Sequence, residues 1–347
     1  MKNNMISVII PIYNGKEYIT NLCQDFTNQT FQDFEIIFID DGSTDGSPSL
    51  LEFYFGLIRH KIIIQKNLGQ GLARNQGVLQ AQGEYIVFVD QDDRIPEDYL
   101  EILWKKINML NADVLISGYK IIDNRLKVKK TVYLSNDEWA KFMCIAPWGK
   151  IYKKSLIIDN EISFPQLSLG EDIYFNLLIY ITVIKGKYSL CVLDNYAGYE
   201  WVENKKSYSR TEHHHLSDKT NILVLYNTLL NYKHINSVLH LLDFRYFFLK
   251  TAIYHLLYVA PYNRLSVTIK YRNSIFEWIQ KNVYPYDRKK ILYLKGPKGE
   301  KVFTRMCVAI YFGLYLIGCD NFLLAFLRLW GFVSCTFKKY HEKSAFL

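Results

Sequence analysis

The chain has no close cysteine pair. Its six cysteines, at 23, 144, 191, 307, 319 and 335, are too scattered for a disulfide framework or a zinc site, which fits a reducing compartment. No uncharged apolar run reaches the ~18 residues that a spanning helix needs, and a strand pattern already begins at Ile6, so no signal peptide is expected. Dense Lys/Arg runs and nucleic-acid recognition motifs are missing as well, which argues against a nucleic-acid partner. What the 347 residues do hold is a globular composition rich in Tyr and Phe, long enough for one large domain or two.

Charge is unevenly spread. From Arg210 onward there are 20 Lys and Arg against 8 Asp and Glu, while residues 1–209 carry 22 against 26. A basic half joined to a near-neutral one implies a surface for something anionic, such as lipid headgroups.

The first hundred residues alternate strand and helix patterns. Apolar runs at Ile6–Ile10, Glu35–Ile39, Lys61–Gln65 and Tyr85–Val89 are separated by helical patterns at Glu17–Asn28, Pro48–Ile58 and Gly71–Ala81. Such alternation predicts an α/β domain with a mainly parallel sheet covered on both faces, its ligands bound beyond the carboxyl ends of the strands. Each polar cluster of interest falls at such an end.

Asp90-Gln91-Asp92-Asp93 follows the run Tyr85–Val89 directly. Three carboxylates there repel one another unless a cation sits among them. Mg²⁺ or Mn²⁺ held by one or two carboxylates completes its shell with water and substrate phosphates, which suggests a nucleotide diphosphate site. The alternative is a polar turn in which Asp92 or Asp93 caps the next helix. Asp40-Asp41-Gly42-Ser43 also ends a strand, where a carboxylate can accept from a base N–H or merely make a turn and a helix cap. Arg74, in a helix opened by Gly69-Gln70-Gly71, can fork onto anionic or carbonyl groups of a nucleotide, or serve in an ion pair.

In order and spacing, Pro11-Ile12-Tyr13-Asn14, Asp40–Asp45, Asn67–Gly77 and Gly83-Glu84-Tyr85 leading to Asp90–Asp93 resemble glycosyltransferase family 2. Trp148-Gly149-Lys150-Ile151-Tyr152 and Gly170-Glu171-Asp172 resemble the acceptor half of the same domain in capsule and lipopolysaccharide transferases. The likeness covers residues 5–210. It implies a GT-A fold followed by a helical C-terminal region, with a catalytic domain over 1–212 (nucleotide-sugar half 1–97, acceptor half 98–212) and a helical domain over 213–347.

The implied activity is inverting, metal-dependent transfer from a UDP-sugar to a hydroxyl of a glycan or lipid-linked glycan. The resemblance gives Asp40 the uracil and Pro11 to Tyr13 the base and ribose. It gives Asp90 and Asp92 the nucleotide and metal contacts, with Asp92 the main ligand of Mn²⁺ or Mg²⁺. A displacement of this kind needs a base opposite the leaving diphosphate. Asp172 is the choice for that base and Glu171 the alternative, while both also suit the first turn of a helix. Trp148 and Lys150 are read as acceptor or phosphate contacts, with core packing the alternative for Trp148. Glu200 stands where many relatives carry Arg, which puts an anion contact there in doubt.

Two other classes compete. A sugar-phosphate nucleotidyltransferase needs a glycine-rich basic loop after the first strand, and Pro11-Ile12-Tyr13-Asn14-Gly15-Lys16 has too few glycines. A catalytically silent nucleotide-sugar-binding scaffold would not require Asp90, Asp92 and Asp172 together.

His213-His214-His215 reads as a solvated turn, since successive histidines point in different directions. Beyond it the pattern is helical. Leu239–Val259 is apolar but carries Asp243, Arg245 and Lys250; Met306–Cys319 is uncharged, and Phe322–Cys335 is broken by Arg328. With Lys281, Arg288, Lys289, Lys290, Lys295, Lys298 and Lys301 nearby, these segments suit core helices, a homodimer contact, or attachment to an anionic membrane on its cytoplasmic face.

Overall fold

The computed structural model describes residues 5–56, 58–203, 215–283 and 296–333. The chain divides into two compact units, one of Met1–Asn136 with Cys144–Asn204 and one of Asp137–Met143 with Lys205–Leu347.

The first unit is built on an eight-stranded sheet. Its first strands are β1 (Ile6–Ile12), β2 (Phe34–Asp40), β3 (His60–Ile64) and β4 (Tyr85–Phe88), joined through helices α1 (Ile19–Thr27), α2 (Ser47–Phe55) and α3 (Gln70–Gln80). Every residue of β1, β2 and β4 is buried, as continuous apolar strands in a sheet covered on both faces must be. β1 runs parallel to both β2 and β4, and β2 parallel to β3. The chain therefore builds outward from β1 in one direction and then returns to its other side, leaving a switch point between β1 and β4 where strand-end loops diverge and a ligand can enter.

Past β4 the sheet turns mixed. Helix α4 (Tyr99–Met109) leads to β5 (Val114–Ile122) and β6 (Val128–Val132), and the chain returns through β7 (Lys150–Lys153), α6 (Lys154–Asp159) and α7 (Glu171–Ile184) to β8 (Leu190–Val202). β7 lies antiparallel between β4 and β5, whereas β8 runs parallel to β5 along its whole length. The backbones crowd at Gly118, where a Cβ would stand 2.2 Å from the Val132 carbonyl oxygen. Helix α3 sits equally close on the sheet: a Cβ on Gly77 would lie 2.3 Å from Ile9 Cγ2. An aromatic cluster fills the core beneath the site, with Phe164 stacked on Phe175 at 4.1 Å and both meeting Phe88 edge-on.

The second unit is helical: Ile222–Leu230, Leu242–Val259, Leu265–Asn282, Val302–Leu316 and Asp320–Val333. The charges that interrupt Leu242–Val259 are accommodated by pairing: buried Lys250 meets Glu300 at 2.5 Å and lies over the Trp139 ring. Trp139 precedes and Phe142 lies within the short helix α5 (Ala140–Met143), which falls within the range expected for the catalytic domain. They pack instead in the helical unit, Trp139 on Tyr246 and Phe142 on Phe244 and Phe247. Two large rings on a seven-residue excursion need a core, and this is the one that buries them.

Among the described residues no single helix is long and apolar enough to cross a membrane; Val302–Leu316 and Asp320–Leu329 pass together but are bent by 119°. His215 is exposed, its ring 6.4 Å from that of Tyr262, while Arg210, His213, His214, Arg288, Lys289, Lys290 and Lys295 lie outside the described residues. The described cysteines are all free thiols.

Candidate active site

Loops at the ends of β1, β2 and β4 form one knitted rim. After β1, the exposed Tyr13 donates its backbone N–H to Gln91 Oε1 at 2.9 Å, and Gln91 Nε2 donates back to the Tyr13 carbonyl at 3.1 Å. Gly15 gives room for that clamp, because a Cβ there would meet Gln91 Oε1 at 2.4 Å. Asn14 ties the β1 loop to the β2 loop, donating its N–H to Ser43 Oγ and accepting from the Thr44 N–H, each at 2.8 Å. Pro11 is buried in β1 just beneath.

The two aspartates ending β2 have different work. Asp40 Oδ2 accepts the Ser43 N–H at 3.1 Å, while Oδ1 is buried without a hydrogen bond. A buried carboxylate oxygen in that state is costly unless a ligand donor completes it. Asp41 accepts from Gln65 Nε2, the Leu68 N–H and the Gly69 N–H at 2.7–2.8 Å. Those bonds hold the loop before α3, where Gly69 takes φ 93° and ψ 155°, a conformation suited to glycine alone.

At the centre stands Arg74, on α3 and wholly buried. One guanidinium nitrogen, Nη2, meets Asp90 Oδ1 at 2.6 Å, and the other, Nη1, meets Asp172 Oδ1 at 2.9 Å. Its plane rests 5.4 Å from the centroid of Phe164. Asp172 and Glu171 occupy the first turn of α7, which Gly170 opens at φ 83°. Glu171 Oε1 accepts from Gln70 Nε2 at 2.7 Å, and Gly71 lets the two helix starts meet, since a Cβ there would crowd Phe164 and Glu171 at 3.1–3.2 Å.

Burial pushes the Asp172 carboxyl up to about 8; Glu171 and Asp90 add to the rise, and Arg74 and Lys150 oppose it. With 28% of its side chain still open to solvent, Asp172 combines a proton affinity near neutrality with access.

The turn after β4 is fixed by a partner far along the chain. Asp93 is buried and accepts from the Tyr199 hydroxyl at 2.7 Å and the Val202 N–H at 2.8 Å, while the Tyr199 oxygen accepts the Asp90 N–H at 3.1 Å. Burial, then the charges of Asp92 and Asp90, raise the Asp93 carboxyl well above its usual range. Asp92 sits half-buried in the same turn. Among the described residues no three His, Cys, Asp or Glu side chains gather as a metal cluster.

Residues 7–160 match the family model for glycosyl transferase family 2. This segment belongs to glycosyltransferase family 2. Similar proteins include glycosyltransferase GlyA of Streptococcus pneumoniae, 33% identical over 52% of this chain and 28% of its own length. The cholesterol galactosyltransferase of Borreliella burgdorferi is 32% identical over 52% of this chain and 56% of its own. The poly(ribitol-phosphate) beta-N-acetylglucosaminyltransferase TarS of Staphylococcus aureus is 33% identical over 50% and 32%. The chain thus spans roughly a quarter to a half of these relatives' lengths. A crystal structure of TarS residues 1–349 with UDP superposes with a TM-score of 0.51 at 26% identity, covering 81% of this chain and 90% of that one. The fold is GT-A, followed by a helical region.

Within this family 2 domain two expectations need correction. Trp148 is 6% exposed and stacks flat on Tyr199 at 4.6 Å, with Tyr119 against it edge-on, so its ring is core rather than a sugar platform. Lys150 is fully buried, and its ammonium donates to the carbonyls of Cys144, at 2.8 Å, and Ala146, so it braces the 144–149 loop instead of meeting phosphate. Arg74 takes its ion-pair alternative. Glu200 pairs with Lys120 at 2.9 Å.

Residues unassigned from the sequence also shape the site. Gln91 lies inside a conspicuous motif of aspartates, and Asp41, a strand-end acceptor by its position, spends its oxygens on the loop before α3. Tyr199 stands beside Glu200 in a segment read for its Glu alone, and only the fold, which brings β8 to the β4 turn, shows its role.

Proposed function

We propose that this chain is an inverting glycosyltransferase that moves a sugar from a UDP-sugar to a hydroxyl of a lipid-linked saccharide acceptor in bacterial surface polysaccharide synthesis. The observation that carries the reading is Arg74, which binds Asp90 on the donor side and Asp172 on the other. Asp40 Oδ1 supplies an acceptor for a uracil N–H, and Pro11 and Tyr13 flank the space for base and ribose. The UDP bound by TarS supports that donor class, and the poly(ribitol-phosphate) in its name supports a hydroxyl-bearing polymer as the kind of acceptor.

In the displacement, ionised Asp172 takes the proton of the acceptor hydroxyl. The acceptor oxygen forms its bond to the anomeric carbon as the bond to the diphosphate oxygen breaks and its electron pair leaves with UDP. Attack opposite the leaving group turns an α-linked donor into a β-linked product. Glu171, held by Gln70, steadies the start of α7. Asp90 and Asp92 would hold Mn²⁺ or Mg²⁺, which carboxylates gathered at one strand end suit. When bound, that ion neutralises charge developing on the diphosphate.

The test is calorimetric titration with UDP, GDP and CDP in Mn²⁺ and again in EDTA, followed by a transfer assay with UDP-sugars. Metal-dependent binding selective for UDP, with turnover, supports the proposal. Tight donor binding without turnover would identify a silent binding protein, and no nucleotide binding would remove the donor site.

A further inference from the structure

The second unit carries an exposed apolar face on its last two described helices. On Val302–Leu316 and the turn after it, Val302, Phe303, Met306, Ile310 and Ile317 recur on one side, opposite buried Thr304, Val308 and Tyr311. On Asp320–Val333, Phe322, Phe326 and Leu329 do the same opposite buried Leu324 and Leu327. Phe322 keeps 79% of its surface and Ile317 keeps 72%, where burial is the norm for such side chains.

The hairpin is held rigidly in this form. Gly318 at φ 76° closes the first helix, with the Gly318 N–H on the Tyr315 carbonyl and the Cys319 N–H on the Leu314 carbonyl. Buried Asp320 then accepts from Arg272 and from the Tyr311 hydroxyl, and Arg272 Nη2 reaches Asn321 at 3.1 Å. The exposed face is thus not a frayed end.

Charge selects its occupant. Both acids of residues 296–333, Glu300 and Asp320, are spent in buried pairs with Lys250 and Arg272. Lys298 and Lys301 are exposed before the first helix, and Arg305 and Arg328 are half-exposed along the pair. A second copy would bring the same positive rim against itself, whereas anionic headgroups would neutralise it while their chains receive the apolar face. We propose that this bent helix pair is an interfacial anchor that lies in, and does not cross, an anionic lipid surface.

The full-length chain would be sedimented with vesicles of phosphatidylcholine mixed with phosphatidylglycerol and with phosphatidylcholine alone. The wild type should partition at least about tenfold more strongly onto the anionic vesicles. Ile317→Ser with Phe322→Ser, and separately Lys301→Glu with Arg328→Glu, should each lower that partitioning by about tenfold or more. Ile317, Phe322 and Lys301 are exposed and Arg328 half-exposed, so an unchanged Tm and unchanged UDP titration would show that the fold is intact. Equal partitioning of wild type and variants overturns the proposal. So does a wild-type dimer that Ile317→Ser with Phe322→Ser dissociates without any vesicle binding.

Discussion

Arg74 and Asp172 meet at 2.9 Å although 98 residues separate them, and the same guanidinium holds Asp90 at 2.6 Å. The base candidate is therefore tuned by a residue that also touches the carboxylate turn expected to receive the donor. An arginine fork can hold two carboxylates at fixed angles, which a single ammonium cannot.

Arg74→Lys should accordingly raise the apparent pKa of Asp172, since Arg74 lowers it in the native protein, and depress kcat/KM by about tenfold to a hundredfold. Arg74→Ala leaves two carboxylates without their partner and should cost about 3 kcal/mol of stability. A pH–rate profile and a denaturant titration of both variants check this.

Asp172 itself sets the sign of the pH dependence. With its carboxyl raised to about 8, transfer should climb as pH rises through that value and the base ionises. The same shift lets the folded protein keep a proton that the unfolded chain releases above about pH 4, so stability should fall as pH rises through that window. Asp172→Asn should flatten that slope and abolish transfer while sparing UDP affinity. Retained turnover would remove Asp172 as the base.

Tyr199 anchors the turn from behind. Tyr199→Phe leaves Asp93 with one donor fewer and the Asp90 N–H without its acceptor, at a cost of about 1–3 kcal/mol. Thermal unfolding measures that loss; metal-dependent UDP titration should weaken in parallel as the turn loosens.

Asp40→Asn is a sharper probe of the base pocket than truncation. The Ser43 N–H keeps an oxygen at the Oδ2 position, so the new amide NH₂ must occupy the place of Oδ1. Donor would then face donor, and UDP affinity should fall by about tenfold or more, as calorimetry would show. Unchanged affinity would remove Asp40 from base recognition.

Much of this site was legible because its chemistry is local. The apolar runs that became β1, β2 and β4 each end on a motif, and a strand end in a parallel sheet is where ligands gather. Asp40 and Asp90 stand at the ends of those runs, and Arg74 on the helix that Gly69-Gln70-Gly71 opens. A Trp-Gly-Lys sequence looks the same whether its side chains face a cleft or a core; Trp148 takes its core alternative against Tyr199, and the carbonyls of Cys144 and Ala146 claim Lys150. The contact of Tyr199 with Asp93 is hidden for the same reason, being positioned by a parallel strand pairing that no short window contains.

Residues 137–143 leave the sheet-bearing unit, lend Trp139 and Phe142 to the helical one, and return before β7. The peptide thus passes from one body to the other three times. No single cut separates them: a fragment ending near residue 204 would strand two large rings in water, and one beginning there would lack part of its own interior. A fragment carrying either body alone would therefore have to supply new packing for those two rings.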